Sequence, residues 1–244
     1  MARSKGASAK SKGARRKSRG ATYHHGDLRR ALIEGSLELI AERGPEGFTL
    51  REVARRVGVS HAAPYRHFAD RDALLLAVAE MGFAELLTRG LAAQEAVEAG
   101  DPLALARARL RSFGEVYLGF AAEHPAHYRV MFGRAISAPT PGLRDAGEGA
   151  FALLEVQVRG VLEALARAGE GDGSEPSDRR VHDLAMAIMA GVHGLAMLAL
   201  DGMLADVPVG PEAAAALRRS ERFATLSSVV LDLIDAGLRA RDLD

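Results

Sequence analysis

An all-α fold of about nine helices follows from three features of the sequence. Apolar residues recur at three- and four-residue spacing along the chain beyond residue 23. No stretch alternates with period two for long enough to argue a sheet. Capping Thr, Ser and Asp residues and terminating Gly and Pro residues cut the pattern into helix-sized pieces, without an internal repeat.

The first helix, "HGDLRRALIEGSLELIAERG", places Leu28, Leu32, Leu39 and Ile40 on one stripe and stops at Gly44-Pro45, a C-cap glycine followed by proline. The second is short: Thr49 stands as N-cap, Glu52 sits at the capping-box spacing, and Gly58 ends it. Ser60 is read as the cap of a third short helix in "GVSHAAPYRHF", and Asp70 as the cap of a long fourth through Leu74, Leu75, Val78, Met81 and Leu87. Asp101-Pro102 opens a fifth to about Glu123, His124-Pro125 breaks the run, and "AHYRVMFGRAI" reads as a short sixth. The loops "SAPTPG" and "GEGDGSEPS" bracket a seventh, about Leu143 to Ala168. Two long helices, about Asp178 to Leu204 and about Pro211 to Ala240, close the chain on either side of "DVPVGP".

At 244 residues and 48% hydrophobic content the chain has ample material for a buried core. No run of about 18 apolar residues is read as a bilayer span, and no apolar stretch follows the basic start as a secretory signal would need. The expectation is a cytoplasmic protein with no membrane partner. Zero cysteines exclude disulfides, thiol catalysis and thiolate metal sites. The formal net charge of zero conceals an asymmetry: residues 1–72 hold 16 Lys and Arg against 8 Asp and Glu, a net of +8, which the remainder balances. All four lysines (Lys5, Lys10, Lys12, Lys17) fall in the first 17 residues with no acid before Asp27. Residues 1–22 are read as a basic, disordered arm, which beside a nucleic-acid module would add salt-sensitive phosphate attraction.

Residues 49–68 carry the pattern of a helix-turn-helix: Ala54 at a close crossing, Gly58 in the turn four residues on, and Val53, Val57 and Val59 turned inward. In that arrangement the second short helix enters the major groove with its first residues against base edges. With Ser60 as N-cap, Pro64 falls in the first turn, where its missing N–H forfeits about one hydrogen bond. Phe68 anchors the core. Tyr65 and His67 suit phosphate, Arg66 suits phosphate or a guanine edge, and His61, Ala62 and Ala63 sit on the leading turn, where small alanines allow contact with thymine methyls. An αα-corner in an ordinary helical core stays open as the alternative for the same residues.

Residues 23–75, "YHHGDLRRALIEGSLELIAERGPEGFTLREVARRVGVSHAAPYRHFADRDALL", resemble the DNA-binding domain of a TetR-type transcriptional regulator. The resemblance implies that Thr49, Tyr65, His67 and Arg71 hold phosphates and that His61 to Ala63 face the bases. The segments "HPAHYRVMFG" and "MAGVHGLAMLALDG" resemble the subclass whose ligand domain is named for a Trp-His-Gly pattern, with Met189 at the tryptophan position and His193 and Gly194 matching. The implied organisation is a helix-turn-helix domain over 23–72 and a helical ligand-binding and dimerisation domain over 73–244. The candidate DNA-contacting set is Thr49, Ser60, His61, Ala62, Ala63, Tyr65, Arg66, His67 and Arg71.

In the second half, Phe113, Tyr117, Phe120, Tyr128, Met131, Phe132, Met186, Met189 and Met197 form a population of adaptable apolar side chains that reads as plain core or as the lining of a pocket between helices, and His193 reads as a core histidine bonded to a carbonyl or hydroxyl or as part of the same lining. Without a basic cluster nearby, an apolar or amphipathic effector fits better than a polyphosphate. His124 and His127 have an H-x-x-H spacing beside a proline but no obvious further ligands, so no metal and no cofactor are expected. Leu184, Ile188 and Leu195 on one closing helix and Leu226, Val230, Leu233 and Ile234 on the other suit intramolecular packing, and the resemblance adds a homodimer four-helix bundle. The reading is thus a homodimeric repressor of a palindromic double-stranded operator, released by a small molecule and without catalysis. A helical scaffold of the same fold without DNA binding is the alternative; a helical enzyme has neither a phosphate loop nor a credible catalytic grouping to support it.

Overall fold

The computed structural model describes residues 25–98, 100–138, 140–169 and 175–239, so the basic arm lies outside the described residues. Among the described residues there are nine α-helices and no strand. They run α1 (His25–Arg43), α2 (Leu50–Val57), a single 3-10 turn (Pro64–Arg66), α3 (Arg71–Glu95), α4 (Pro102–Glu123), α5 (Pro125–Phe132), α6 (Pro141–Arg167), α7 (Asp178–Leu200), α8 (Ala213–Arg219) and α9 (Glu221–Arg239).

Helix starts follow the capping chemistry. Thr49 and Glu52 close a reciprocal box at α2, and the side chains of Asp70, Asp101, Thr140 and Ser177 accept from backbone N–H groups of α3, α4, α6 and α7. α1, α2 and the 3-10 turn form a small head whose core is Leu32, Ile40, Val53 and Phe68. α3 leaves this head as a continuous rod and packs against α4, α5 and α6, while α7 lies against α4, α6 and α9. Its Asp72 carboxylate is held below the usual carboxylate range, first by hydrogen bonding to Ser137 and then by Arg71, which ties the start of the rod to the loop after α5.

Four expectations are corrected. The helix expected from Ser60 is instead a turn followed by one 3-10 turn, and the residue at the N-cap position is Ala63, without a side-chain cap. An α-helix from Ser60 needs the N–H of residue 64 to bond the Ser60 carbonyl; proline has none, so that carbonyl accepts from Ala63 N at 2.9 Å and the segment tightens to three-residue spacing. The expected last helix divides into α8 and α9 because Ser220 Oγ accepts from Phe223 N at 2.9 Å while donating to Asp206 at 2.6 Å. α7 stops at Leu200 rather than Leu204, where Gly202 takes the left-handed conformation (φ 73°). Finally, α7 is long and apolar enough by length and composition to cross a membrane. In this fold its Val181, Ala185, Val192, Ala196 and Leu200 are buried within the protein.

Candidate nucleic-acid interface and ligand cavity

The head is built to hold one short segment outward. α1 and α2 cross at Gly35, where an added Cβ would lie 2.7 Å from Val57 Cγ2. Gly58, left-handed at φ 78°, ends α2, and Val59 N then bonds Ala54 O at 2.9 Å, reversing the chain. Pro64 is buried and Phe68 is 3% exposed, with the Arg29 guanidinium 5.4 Å from its ring centroid. These two inward anchors force the residues between and before them toward solvent. Ser60, His61, Ala62, Tyr65 and Arg66 are exposed, Tyr65 by 51%, whereas Ala63 and His67 are half-buried. Thr49 is exposed too, its hydroxyl engaged with Glu52 in the capping box. Arg71 donates to Glu46 O at 3.3 Å and to Asp72 Oδ1 at 3.4 Å, so it stands where the start of α3 meets the α1–α2 loop beside Thr49.

Below the head, aromatic rings from α3, α4 and α5 pack edge to face or tilted against one another. Phe83 and Phe132 are 5.4 Å apart, Tyr117 and Tyr128 5.8 Å, and Tyr128 and Phe132 4.7 Å. They leave a cavity of about 250 Å³ walled by Leu86 of α3, Phe113 of α4, Phe132 of α5, Phe151 of α6, and Met189 and His193 of α7. A second cavity of about 190 Å³ lies between α4, α7 and α9 and includes Arg107, Leu110, Ile188, Leu231 and Asp235. Phe113, Tyr117 and Met189 line both. Of the residues singled out in the sequence, Tyr128 is fully buried behind this wall, bonded to Tyr117 and His193. Phe120 packs elsewhere, against His124 at 5.0 Å and under the Arg89 guanidinium. Sequence reading missed Leu86, Phe151, Arg107, Leu231 and Asp235, which carry no signal within their own helices: a periodic stripe looks the same whether it meets a neighbour or a void.

The polar groups here are neutral or paired. Burial pushes the hydroxyls of Tyr117 and Tyr128 above the ordinary tyrosine range and His193 below the ordinary histidine range. Arg107 faces Asp235 at 3.5 Å and Arg111 faces Asp232 at 2.7 Å, pairs that join α4 to α9. His124 Nε2 lies 2.8 Å from Arg89 Nη2, and its ring is 5.7 Å from that of His127. Among the described residues no three His, Asp or Glu side chains are grouped as a metal would require.

On the outer side, α7 and α9 leave an open apolar groove of about 360 Å³ lined by Leu184, Ile188, Gly191, Val230, Leu233 and Ile234. Leu233 is 66% exposed there, while Leu195 is buried in the core and Leu226 packs against it. Ile188 and Ile234 line this groove and the 190 Å³ cavity alike.

A helix-turn-helix head on a cavity-bearing helical body is the architecture of a ligand-responsive DNA-binding regulator. The chain belongs to the tetR family of bacterial regulatory proteins, whose family model matches residues 32–78, and residues 110–230 match the tetracyclin repressor-like C-terminal domain. It is 33% identical to the nucleoid occlusion factor SlmA of Enterobacter sp. (strain 638) over 147 residues, 59% of this chain and 71% of that protein. Among solved structures, a protein of unknown function from Rhodococcus sp. RHA1 shares 32% identity at a TM-score of 0.66, covering 90% of this chain and 99% of that one. The TetR family transcriptional regulator PfmR from Thermus thermophilus shares the fold at 19% identity and a TM-score of 0.55, over 87% and 98% of the two chains.

Proposed function

We propose that this regulator is a cytoplasmic homodimeric repressor that binds a palindromic operator and is released when a small apolar or amphipathic molecule enters the cavity beside α3. It works by binding alone, without catalysis. The observation that carries the reading is the outward segment 60–67, held by buried Pro64 and Phe68 and joined through one continuous helix to the cavity wall. In this reading His61, Ala62 and Ala63 meet base edges, with Ser60 at the start of that segment. Thr49, Tyr65, His67 and Arg71 hold phosphates, and Arg66 meets phosphate or guanine. The division between DNA-reading and ligand-binding parts at residues 72 and 73 falls in the first turn of α3, so the two parts share that helix. Pairing of α7 and α9 with their copies would cover the apolar groove and set two outward segments about 34 Å apart, one helical turn of DNA.

The effector acts by preferring one spacing of the heads. Leu86 and Phe83 belong to α3 and wall the cavity, so a molecule that fills it bears directly on the rod that carries Arg71 and Asp72. A ligand that favours the wide spacing lowers operator affinity, and by linkage the operator lowers ligand affinity by the same factor. The test is fluorescence anisotropy with duplexes from the DNA upstream of the coding region. Affinity should fall steeply with salt. Tyr65→Phe should weaken binding to every sequence alike, whereas His61→Ala should change the preference among operators. Salt-independent binding, or undiminished affinity in Tyr65→Phe together with unchanged operator preference in His61→Ala, would refute the assignment of this face.

A further inference from the structure

We infer that Tyr117, Tyr128 and His193 form the polar recognition point of the effector cavity, and that they take one uncharged hydrogen-bonding group, a hydroxyl or a carbonyl, on an otherwise apolar molecule. The inference rests on the reading of that cavity as the effector site.

Tyr117 Oη lies 2.9 Å from Tyr128 Oη and 2.9 Å from His193 Nδ1, and Tyr128 Oη lies 2.7 Å from the same nitrogen. A closed ring of three hydrogen bonds requires each member to donate once and accept once. A hydroxyl does both, but an imidazole nitrogen either carries its proton or accepts one. At most two of the three contacts are therefore good hydrogen bonds at once, and one member keeps a spare proton or lone pair. An unmet polar group in a buried site is costly. Tyr128 is fully sealed, whereas Tyr117 lines both cavities and His193 lines the one beside α3. The spare capacity is satisfied at least cost by a ligand atom in the cavity.

The surroundings select against a charged ligand. Burial keeps both tyrosines and the histidine in their neutral forms at neutral pH. The cations bordering the second cavity, Arg107 and Arg111, already face the carboxylates of Asp235 and Asp232. Phe113, Phe132, Phe151 and Met189 complete an apolar wall in which an added charge would have no counter-charge.

Naphthol, naphthalene, naphthoate and naphthylmethylammonium form a probe series of one shape with different polar groups. The chain contains no tryptophan, so naphthol emission can be followed without indole background, with calorimetry for the others. Naphthol is expected to bind the full-length chain about fivefold more tightly than naphthalene, the size of one net hydrogen bond, with both ionic probes weaker than either. Tyr117→Phe keeps the ring and removes the hydroxyl; it should erase the preference for naphthol and leave naphthalene affinity within about twofold. Equal affinity for naphthol and naphthalene in the unaltered protein, or tightest binding of naphthoate, overturns the inference while the cavity reading stands. Failure of all four probes to bind removes the cavity reading and the inference with it. The preference of the unaltered protein decides the matter even where Tyr117→Phe does not fold.

Discussion

Pro64 shows how much one side chain settles. Its absent N–H removes a single hydrogen bond, yet the segment is only one turn long, so that bond decides between an α-helix and a 3-10 turn. Its burial, with that of Phe68, turns Tyr65 and Arg66 outward. His127 shows the same sensitivity in its titration. Burial pushes its pKa down to about 4, and neighbouring His124 adds to the effect. Between about pH 6.5 and about pH 4 the unfolded chain therefore binds a proton that the folded chain does not, so stability is full above about pH 6.5 and is lost as pH falls toward 4. His124 and His193 are shifted in the same direction. Thermal unfolding between pH 7 and pH 4.5 should show Tm falling with acidification, and His127→Gln should reduce that slope without removing it. An unchanged slope would mean that His127 is not held neutral by the fold.

At the level of elements, α3 runs unbroken from the head to the cavity wall and packs without slack. A Cβ on Gly90 would lie 2.8 Å from Phe113 Cε2 and 3.0 Å from Leu153 Cδ2, and one on Gly82 would collide with Met131 Sδ. Helix propensity favours alanine over glycine by about 1 kcal/mol, but overpacking a rigid ring costs about 1–3 kcal/mol. Gly90→Ala should therefore be net destabilising by about 1 kcal/mol in urea unfolding and should displace Phe113 into the cavity, weakening probe binding. Gly160→Ala on α6 is the contrast: nothing lies within 4 Å of its added Cβ, so it should stabilise by up to about 1 kcal/mol. Helix starts were the most legible feature of the sequence, since Thr49, Asp70 and Asp101 each cap where the sequence places them. The break at Ser220 was not read, although a serine inside a helical run carries the same capping chemistry.

For the whole molecule, the decisive surface is the groove between α7 and α9. Leu233 at 66% exposure and Val230 beside it leave an apolar face that water covers poorly. Leu233→Glu should shift the protein toward monomer in light scattering and lower operator affinity at least tenfold, since one head alone makes about half the phosphate contacts. A monomer that retains full affinity would exclude the paired-head arrangement. Ile188 and Ile234 line both this groove and the 190 Å³ cavity between α4, α7 and α9, so a molecule in that second cavity, rather than in the one beside α3, would press on the same two side chains that a second copy would meet.

The class of fold, most helix boundaries, the helix-turn-helix and the tetR-type resemblance are legible in the residues alone. These depend on periodicity, caps and turn residues, all of which act within a few positions of one another. The sequence also singled out Phe113, Tyr117 and Met189 within an apolar population, and His193 separately, without deciding between core and cavity. That choice is made by helix packing. Tyr117 and His193, 76 positions apart in the chain, meet at 2.9 Å beside a void, and a void is a property of how helices pack against one another rather than of any single helix.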